Sequence, residues 1–404
     1  MKYKILSIIF LFLTLNSISQ SNSIDLSVHS LFCNNDVRVG AENTKTYMSL
    51  LNGKRVAVVG NQSSMIGDKH LVDSLIRLGV EVVKVFSPEH GFRGKADAGE
   101  KVKSGIDFKT GLPIISLYGN NKKPKPEQMK GIDVLIFDIQ DVGVRFYTYI
   151  STLHYIMEAC SENNVKLIIL DRPNPNGHYV DGPVLNPDFK SFVGMHQVPV
   201  VHGMSIGEYA KMIHGEKWVS ANKLDFIVIE CVGWDHTKFY KLPIKPSPNL
   251  PNMLSIYLYP SLCFFEGTVV SVGRGTDMPF QISGHPKFKS KFFSFTPKAT
   301  EGAKYPKLNG KLCYGIDYST VGLNILQLQG QLSLDWLVSF YQDLNLKGDF
   351  FLKNNFINLL AGSDVLQKQL INNLTFKEIR QSWQSDLAKF KVIRSKYLLY
   401  KDFN

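Results

Sequence analysis

Acidic, imidazole and guanidinium side chains recur in this sequence just beyond apolar runs. The stretch "VVKVFSPEHGFRG" (82–94) ends a strand-type run on Glu89 and His90, set between Pro88 and Gly91, with Arg93 close behind. "GIDVLIFDIQDVG" (131–143) ends on Asp138 and Asp141, and Arg145 and Tyr147 follow. "VKLIILDRPNPNG" (165–177) ends on Asp171, Arg172 and Asn174. Single Asp or Asn residues at strand ends commonly cap turns and helices. Caps do not need Arg or His alongside, so the set points to a site.

Carboxylates at such positions suit glycoside hydrolysis. One carboxylic acid protonates the leaving oxygen, and a second carboxylate acts as base or nucleophile unless the substrate's own acetamido group takes that part. Glu89 is the candidate acid, because partial burial at a strand end raises a carboxyl pKa. Its plainer alternative is a turn or helix cap. Asp141, Glu266 and Asp138 are candidates for the second group. Arg93, Arg145, Arg172 and Arg274 all stand in strand-end or Gly/Pro-rich loops. Arg holds a carboxylate or phosphate through paired hydrogen bonds, so these four predict an anionic substrate.

Other chemistries find less support. His90, His154, His178, His196 and His202 form no HExxH or comparable metal pattern, and no metal or cofactor is expected. "VVGNQSS" lacks the G-x-G-x-x-G dinucleotide fingerprint, and neither a P-loop nor a G-x-S-x-G elbow is present. Ser205 and Glu208 in "HGMSIGE" match a capping box.

Elements that would position these residues alternate along the chain. The stretches 54–64, 80–91, 131–143 and 165–177 each read as an apolar strand running into a turn or loop; helical spacing marks 68–80 and 146–164, with a further helix at 204–219 and strand at 224–234. Strands apolar throughout and alternating with helices predict an α/β, Rossmann-like parallel sheet covered on both faces. Ligands of such sheets bind beyond the carboxyl ends of the strands. The stretch 245–280 is rich in Pro and Gly and carries Glu266, Arg274 and Asp277, which predicts a shaped loop region against the cleft. We expect a Rossmann-like catalytic domain over 45–255 and a smaller α+β domain over 256–404, with helices at 333–344 and 375–400. Tyr397 and Tyr400 in the tail read as packing.

Composition sets outer bounds. The chain has 404 residues, 44% hydrophobic and 20% charged, which suits a globular protein with ample core. Residues 1–20 read as a Sec signal peptide, with Lys2 and Lys4 before the apolar run Ile5–Leu15, so an exported protein without a membrane anchor is expected. The net charge of +11 includes those two lysines. A basic exported chain suits an anionic cell-wall or membrane-surface partner. No nucleic-acid-binding motif is present, and nucleic acid is not expected as a partner. Five Cys residues (33, 160, 231, 263, 313) without a CxxC pair predict no disulfide framework, with Cys160 and Cys263 as core thiols.

Taken together, "SPEHGFRG", "DIQDVGVRFYTY", "LDRPNPNG", "HGMSIGE", "PSPNLPN" and "FEGTVVSVGRGTDMPF" resemble the exo-β-N-acetylmuramidase family of bacterial cell-wall glycosidases. The similarity runs from about Lys54 to the C-terminus and thins after Phe280. It implies a Rossmann-like domain joined to a smaller one, with the active site between them. It also implies release of N-acetylmuramic acid from non-reducing ends of peptidoglycan fragments. Glu89 would be catalytic and His90 would orient it or touch the sugar. Asp138, Asp141, Arg145 and Tyr147 fall on one family motif, Glu266 and Arg274 on others, Asp171, Arg172 and Asn174 on the strand-end motif "LDRPNPNG", and His202 on "HGMSIGE" before a helix. Gln281 and Val272 stand where members carry acidic residues, so neither position supplies an essential carboxylate here. A non-catalytic binder of wall fragments and a metal-dependent wall hydrolase are the competing readings.

Overall fold

The structure, a computed structural model, describes residues 31–34, 36–88, 91–93, 104–219, 223–300 and 302–403. The expected signal peptide and both Glu89 and His90 lie outside these residues. Cys33–Asn404 form one compact unit.

Its centre is a seven-stranded sheet of order β5-β6-β4-β1-β7-β8-β9. The strands are β1 (Arg55–Gly60), β4 (Glu81–Ser87), β5 (Gly105–Ile106), β6 (Pro113–Ser116), β7 (Val134–Asp138), β8 (Lys166–Leu170) and β9 (Phe226–Ile229). A two-stranded hairpin, β2 (Met65–Ile66) with β3 (Lys69–His70), lies between β1 and the first crossover helix. All neighbours in the large sheet are parallel except the edge pair β5–β6. The six parallel strands follow the doubly wound order 3-2-1-4-5-6. β7 is buried at every position and β8 at all but its first. That follows from helices on both faces, as the unbroken apolar runs predict.

The crossover helices are Leu71–Arg77, Pro126–Met129, Tyr149–Asn163 and Ile206–Gly215. The last is capped as expected: Ser205 Oγ accepts from Glu208 N at 3.2 Å, and Glu208 Oε2 accepts from Ser205 N at 2.8 Å. On one face of the sheet, Val56, Val58, Val85 and Ile136 pack against Leu71, Val72 and Leu75.

Two expectations for the second half are corrected. The stretch 245–280 is not loop throughout, because Met253–Leu262 is a helix continued by a 3-10 turn over Cys263–Gly267. Every residue from Ser255 to Leu262 is buried, so no amphipathic periodicity marks it, and Pro260 inside it lacks the N–H that would bond Ile256 O, a carbonyl that instead accepts from Asn176 Nδ2 at 3.4 Å. An Asn252–Ser255 capping box starts it. The expected helix 375–400 is two helices, Phe376–Ser382 and Gln384–Arg394, which divide at Trp383. There the indole Nε1 donates to the buried Asp181 Oδ1 at 3.2 Å, and the chain turns to bring it there. The rest of this half holds a three-stranded antiparallel sheet of β10 (Ile282–His285), β12 (Cys313–Asp317) and β11 (Ser294–Phe295). The expected 333–344 helix spans Asp335–Leu344. Among the described residues, no helix is long and apolar enough to cross a membrane.

Candidate active site

Beyond the carboxyl ends of the parallel strands lies a cavity of about 580 Å³. The sheet side contributes Tyr118, which follows β6, and Phe146–Tyr149, which follow β7. The other wall comes from Ser247, Asn249 and Leu250, from Tyr259, Cys263 and Glu266, from Ser271, Val272, Arg274 and Phe280, and from Gly302, Ala303 and Tyr305–Lys307. Volume and lining fall in the range of small-ligand sites, and the aromatic excess suits the apolar faces of a sugar ring.

The "PSPNLPN" loop joins the two walls. Pro246 O accepts from Tyr147 Oη at 2.9 Å and from Gln62 Nε2, beyond β1, at 3.0 Å. Asn249 Nδ2 donates to Gly302 O at 2.7 Å. The loop therefore carries strand-end geometry across to the second wall, which is why its prolines and asparagines stand together.

Three charged groups meet in the cavity wall. Arg274 Nε donates to Glu266 Oε1 at 3.0 Å, with each side chain about a quarter exposed. The guanidinium carbon lies 4.9 Å from the Phe280 ring centroid. Lys307 Nζ donates to the carbonyls of Phe265, Thr268 and Val270 at 2.9, 2.6 and 3.0 Å. These contacts occupy all of the ammonium's donors, so Lys307 braces the turn after Glu266. Burial pulls the Lys307 amine down to about 8, against the pull of Glu266. Burial alone would raise the Glu266 carboxyl, but Arg274 and Lys307 outweigh it and hold it below its ordinary value. Glu266 is thus an ionised carboxylate on the cavity wall.

Other site candidates from the sequence are placed differently. Tyr147 lines the cavity and packs edge-on against Tyr149 and Tyr259. Asp138 and Arg172 are spent on each other: Arg172 Nε and Nη2 donate to the two Asp138 oxygens at 2.6 and 2.9 Å, fully buried. Arg93 is taken up in the same way by Asp107, at 2.9 and 2.7 Å, with Asp73 beside it. Arg145 donates to the carbonyls of Pro183, Val198 and Leu360 and is wholly buried. Without a carboxylate partner, burial lowers its guanidinium to about 9. Arg93, Arg145 and Arg172 therefore brace the fold, which leaves Arg274 as the arginine of the set that reaches the cavity.

Asp171 caps the Ile206–Gly215 helix by accepting from Gly207 N, Ser205 Oγ and Tyr400 Oη. Burial raises its carboxyl to about 6 despite those donors. Asn174 closes its turn, accepting from Asn176 N at 2.8 Å and donating to Met204 O at 2.9 Å. It also crowds Gly143, where φ is +75° and any side chain would collide with the Asn174 amide. Asp141 lies outside the cavity lining: its Oδ2 accepts from Gly143 N at 2.7 Å, and His202 Nε2 is 3.9 Å away. Burial raises Asp141 to about 7 and lowers His202 to about 3.

For Glu89 the flanks are described. β4 ends on the buried Ser87, and Gly91, at φ +77°, donates its N–H to Pro88 O at 3.2 Å. Ser87 pairs with Ser116 on β6, and Tyr118 of the cavity follows two residues later.

The sequence reading missed Lys307 and the aromatic wall of Tyr118, Tyr149, Tyr259, Phe280 and Tyr305. Their only linear signal is an aromatic content of 12%. Cys263, expected in the core, is buried but also lines the cavity. All five cysteines are free thiols. Among the described residues, no cluster of three or more His, Cys, Asp or Glu could hold a metal.

Comparison with known proteins agrees with this geometry. The family model described as exo-beta-N-acetylmuramidase NamZ, N-terminal, matches residues 56–254, and its C-terminal counterpart matches 257–400. Peptidoglycan beta-N-acetylmuramidase NamZ of Bacillus subtilis is 38% identical over 379 residues, covering 88% of this chain and 89% of that protein. A crystal structure of a DUF1343 family protein from Bacteroides fragilis superimposes with a TM-score of 0.85 at 47% identity, covering 91% of this chain and all of that one. A second from the same organism gives 0.76 at 29% identity, covering 91% of this chain and 99% of that one. With both family models matched in order over nearly the whole folded region, this chain belongs to the exo-beta-N-acetylmuramidase NamZ family.

Proposed function

We propose that this protein is an exo-acting glycosidase that removes N-acetylmuramic acid from the non-reducing ends of peptidoglycan fragments. Glycosidase action on peptidoglycan follows from family membership and from the B. subtilis relative. The observation that carries the finer reading is the Glu266–Arg274 pair on the wall of an aromatic cavity. Muramic acid differs from glucosamine by a lactyl carboxylate. Arg274 uses Nε on Glu266, and its two Nη groups make no hydrogen bond to a described residue. That end of the guanidinium is the natural grip for a carboxylate.

In this reading Glu89 donates its proton to the glycosidic oxygen as the bond to the anomeric carbon breaks. Water completes the product by adding hydroxide to that carbon and leaving its proton with the enzyme. Of the carboxylates considered as second group, Glu266 is the one in the cavity wall, so we assign it the electrostatic or base role. The same reading takes residues 1–20 as an export signal, so that enzyme and wall meet outside the cytoplasmic membrane. N-terminal sequencing of the mature protein tests that assignment.

The test of function is hydrolysis of a chromogenic β-N-acetylmuramic acid glycoside beside its N-acetylglucosamine analogue, with wild type and Glu89→Gln. Release from the muramic substrate alone, lost in the variant, is the expected result. Equal release from both would deny a role to the lactyl group. Release from neither, with retained binding, would leave a wall-fragment binder.

A further inference from the structure

Tyr305 lines the cavity, yet its side chain is almost wholly in solvent, at 95% exposure. The other tyrosines and phenylalanines that meet the charged pair are buried, with Phe280 at 1% and Tyr259 at 7%. The aromatic lining thus grades from buried rings, through the half-buried Tyr118 and Phe356, to the exposed ring of Tyr305. Tyr305 makes no hydrogen bond or ring contact with any described residue.

An exposed aromatic ring usually means little by itself. Here the backbone beneath it is held on both sides. Asn249 grips Gly302 O at 2.7 Å, and Thr300 and Ala303 exchange backbone hydrogen bonds at 3.1 Å. Pro306 restricts the conformation of Tyr305 and packs so tightly on Gly275 that a Cβ there would lie 2.7 Å from it. Lys307 is fastened to three carbonyls of the turn that carries Glu266. A ring that packs against no other described residue is therefore presented from a backbone held at several points, at the exit of the site. Such preorganisation lowers the ordering cost of binding.

We propose that Tyr305 is the stacking platform for the second sugar of the glycan, the N-acetylglucosamine unit on the leaving-group side of the scissile bond. This rests on the reading that the closed part of the cavity takes the terminal muramic acid. With that unit inside, the next ring of the chain emerges at the mouth, where the phenol ring meets its apolar C–H face. No hydrogen bond is needed at such a contact, which agrees with Tyr305 making none to a described residue. The contact binds the chain and takes no part in bond cleavage, so it acts mainly through KM.

The test compares wild type, Tyr305→Ala and Tyr305→Phe on the disaccharide of N-acetylmuramic acid β-linked to N-acetylglucosamine. Free N-acetylmuramic acid serves as a competitive inhibitor that fills only the closed part. For Tyr305→Ala the disaccharide KM should rise roughly tenfold, the worth of one aromatic contact. The inhibition constant of the monosaccharide should stay at the wild-type value, and Tyr305→Phe should behave as wild type, because the ring and not the hydroxyl is used. An unchanged disaccharide KM, or KM and inhibition constant rising together, would overturn the assignment. A wild type that binds the monosaccharide but cleaves no disaccharide would overturn the proposed function, and this inference with it.

Discussion

Arg274 and Glu266 meet at 3.0 Å in the cavity wall, eight residues apart in sequence and joined through the guanidinium Nε. The Phe280 ring supports the guanidinium from one side. One carboxylate oxygen is thereby committed, and both residues line the cavity. The pair combines the anion reader and the ionised carboxylate that the proposed chemistry asks for.

Glu266→Gln separates charge from geometry. The amide oxygen still accepts from Arg274 Nε, so the guanidinium stays in place while the negative charge is lost. We expect kcat on a muramic glycoside to fall by roughly 10²–10⁴, with KM little changed. A rise in KM at constant kcat would reduce Glu266 to a holder of Arg274.

Arg274→Lys keeps a positive charge and removes the paired donors. Hydrogen bonds to charged groups contribute about 1.5–3 kcal/mol, so KM for the muramic substrate should rise roughly 10- to 100-fold. An N-acetylglucosamine substrate lacks the carboxylate and should lose little. Steady-state kinetics on the two substrates decide it.

Asp141 has a pH signature in stability. Its folded-state pKa is raised by burial from 3.8 to about 7. Folding is therefore favoured by the protonated form: the contribution is fully present below the unfolded value and is lost as pH rises through the folded one. Asp141→Asn has no proton to lose. The stability of wild type relative to this variant should fall between about pH 4 and about pH 7, read from urea midpoints. A pH-independent difference would mean that the carboxyl is ionised in the folded protein.

Tyr400 tests the tail. Its hydroxyl donates to Asp171 at 2.6 Å and accepts from Cys231 N at 2.9 Å. Tyr400→Phe leaves a buried N–H unpaired and removes a donor from a buried carboxylate, at a cost of about 1–3 kcal/mol. We expect a lower urea midpoint, with kinetic constants unchanged below the transition, because neither residue lines the cavity.

The sequence by itself determined the doubly wound sheet and its active edge. Apolar runs such as "VLIF" can be buried only between two helical layers, and the residues that end them must emerge at one edge. The Ser205–Glu208 cap was equally legible, because its geometry is local. Which strand-end residues reach a ligand was not legible. Arg93, Arg172 and Arg274 look alike in the chain, yet Asp107 claims the first, Asp138 the second, and only the third stands in the cavity. Asp107 lies 14 residues from its arginine and Asp138 lies 34 from its own, so no local pattern announces either pair. The Met253–Leu262 helix escaped for a related reason: buried on every side, it carries no periodicity to read. The cavity wall gathers residues from 118 to 360, and only the packing of the second half against the strand ends brings them together. Linear pattern tells a side chain which element carries it. Its partner, and so its availability for chemistry, is set by long-range contacts that only the folded chain creates.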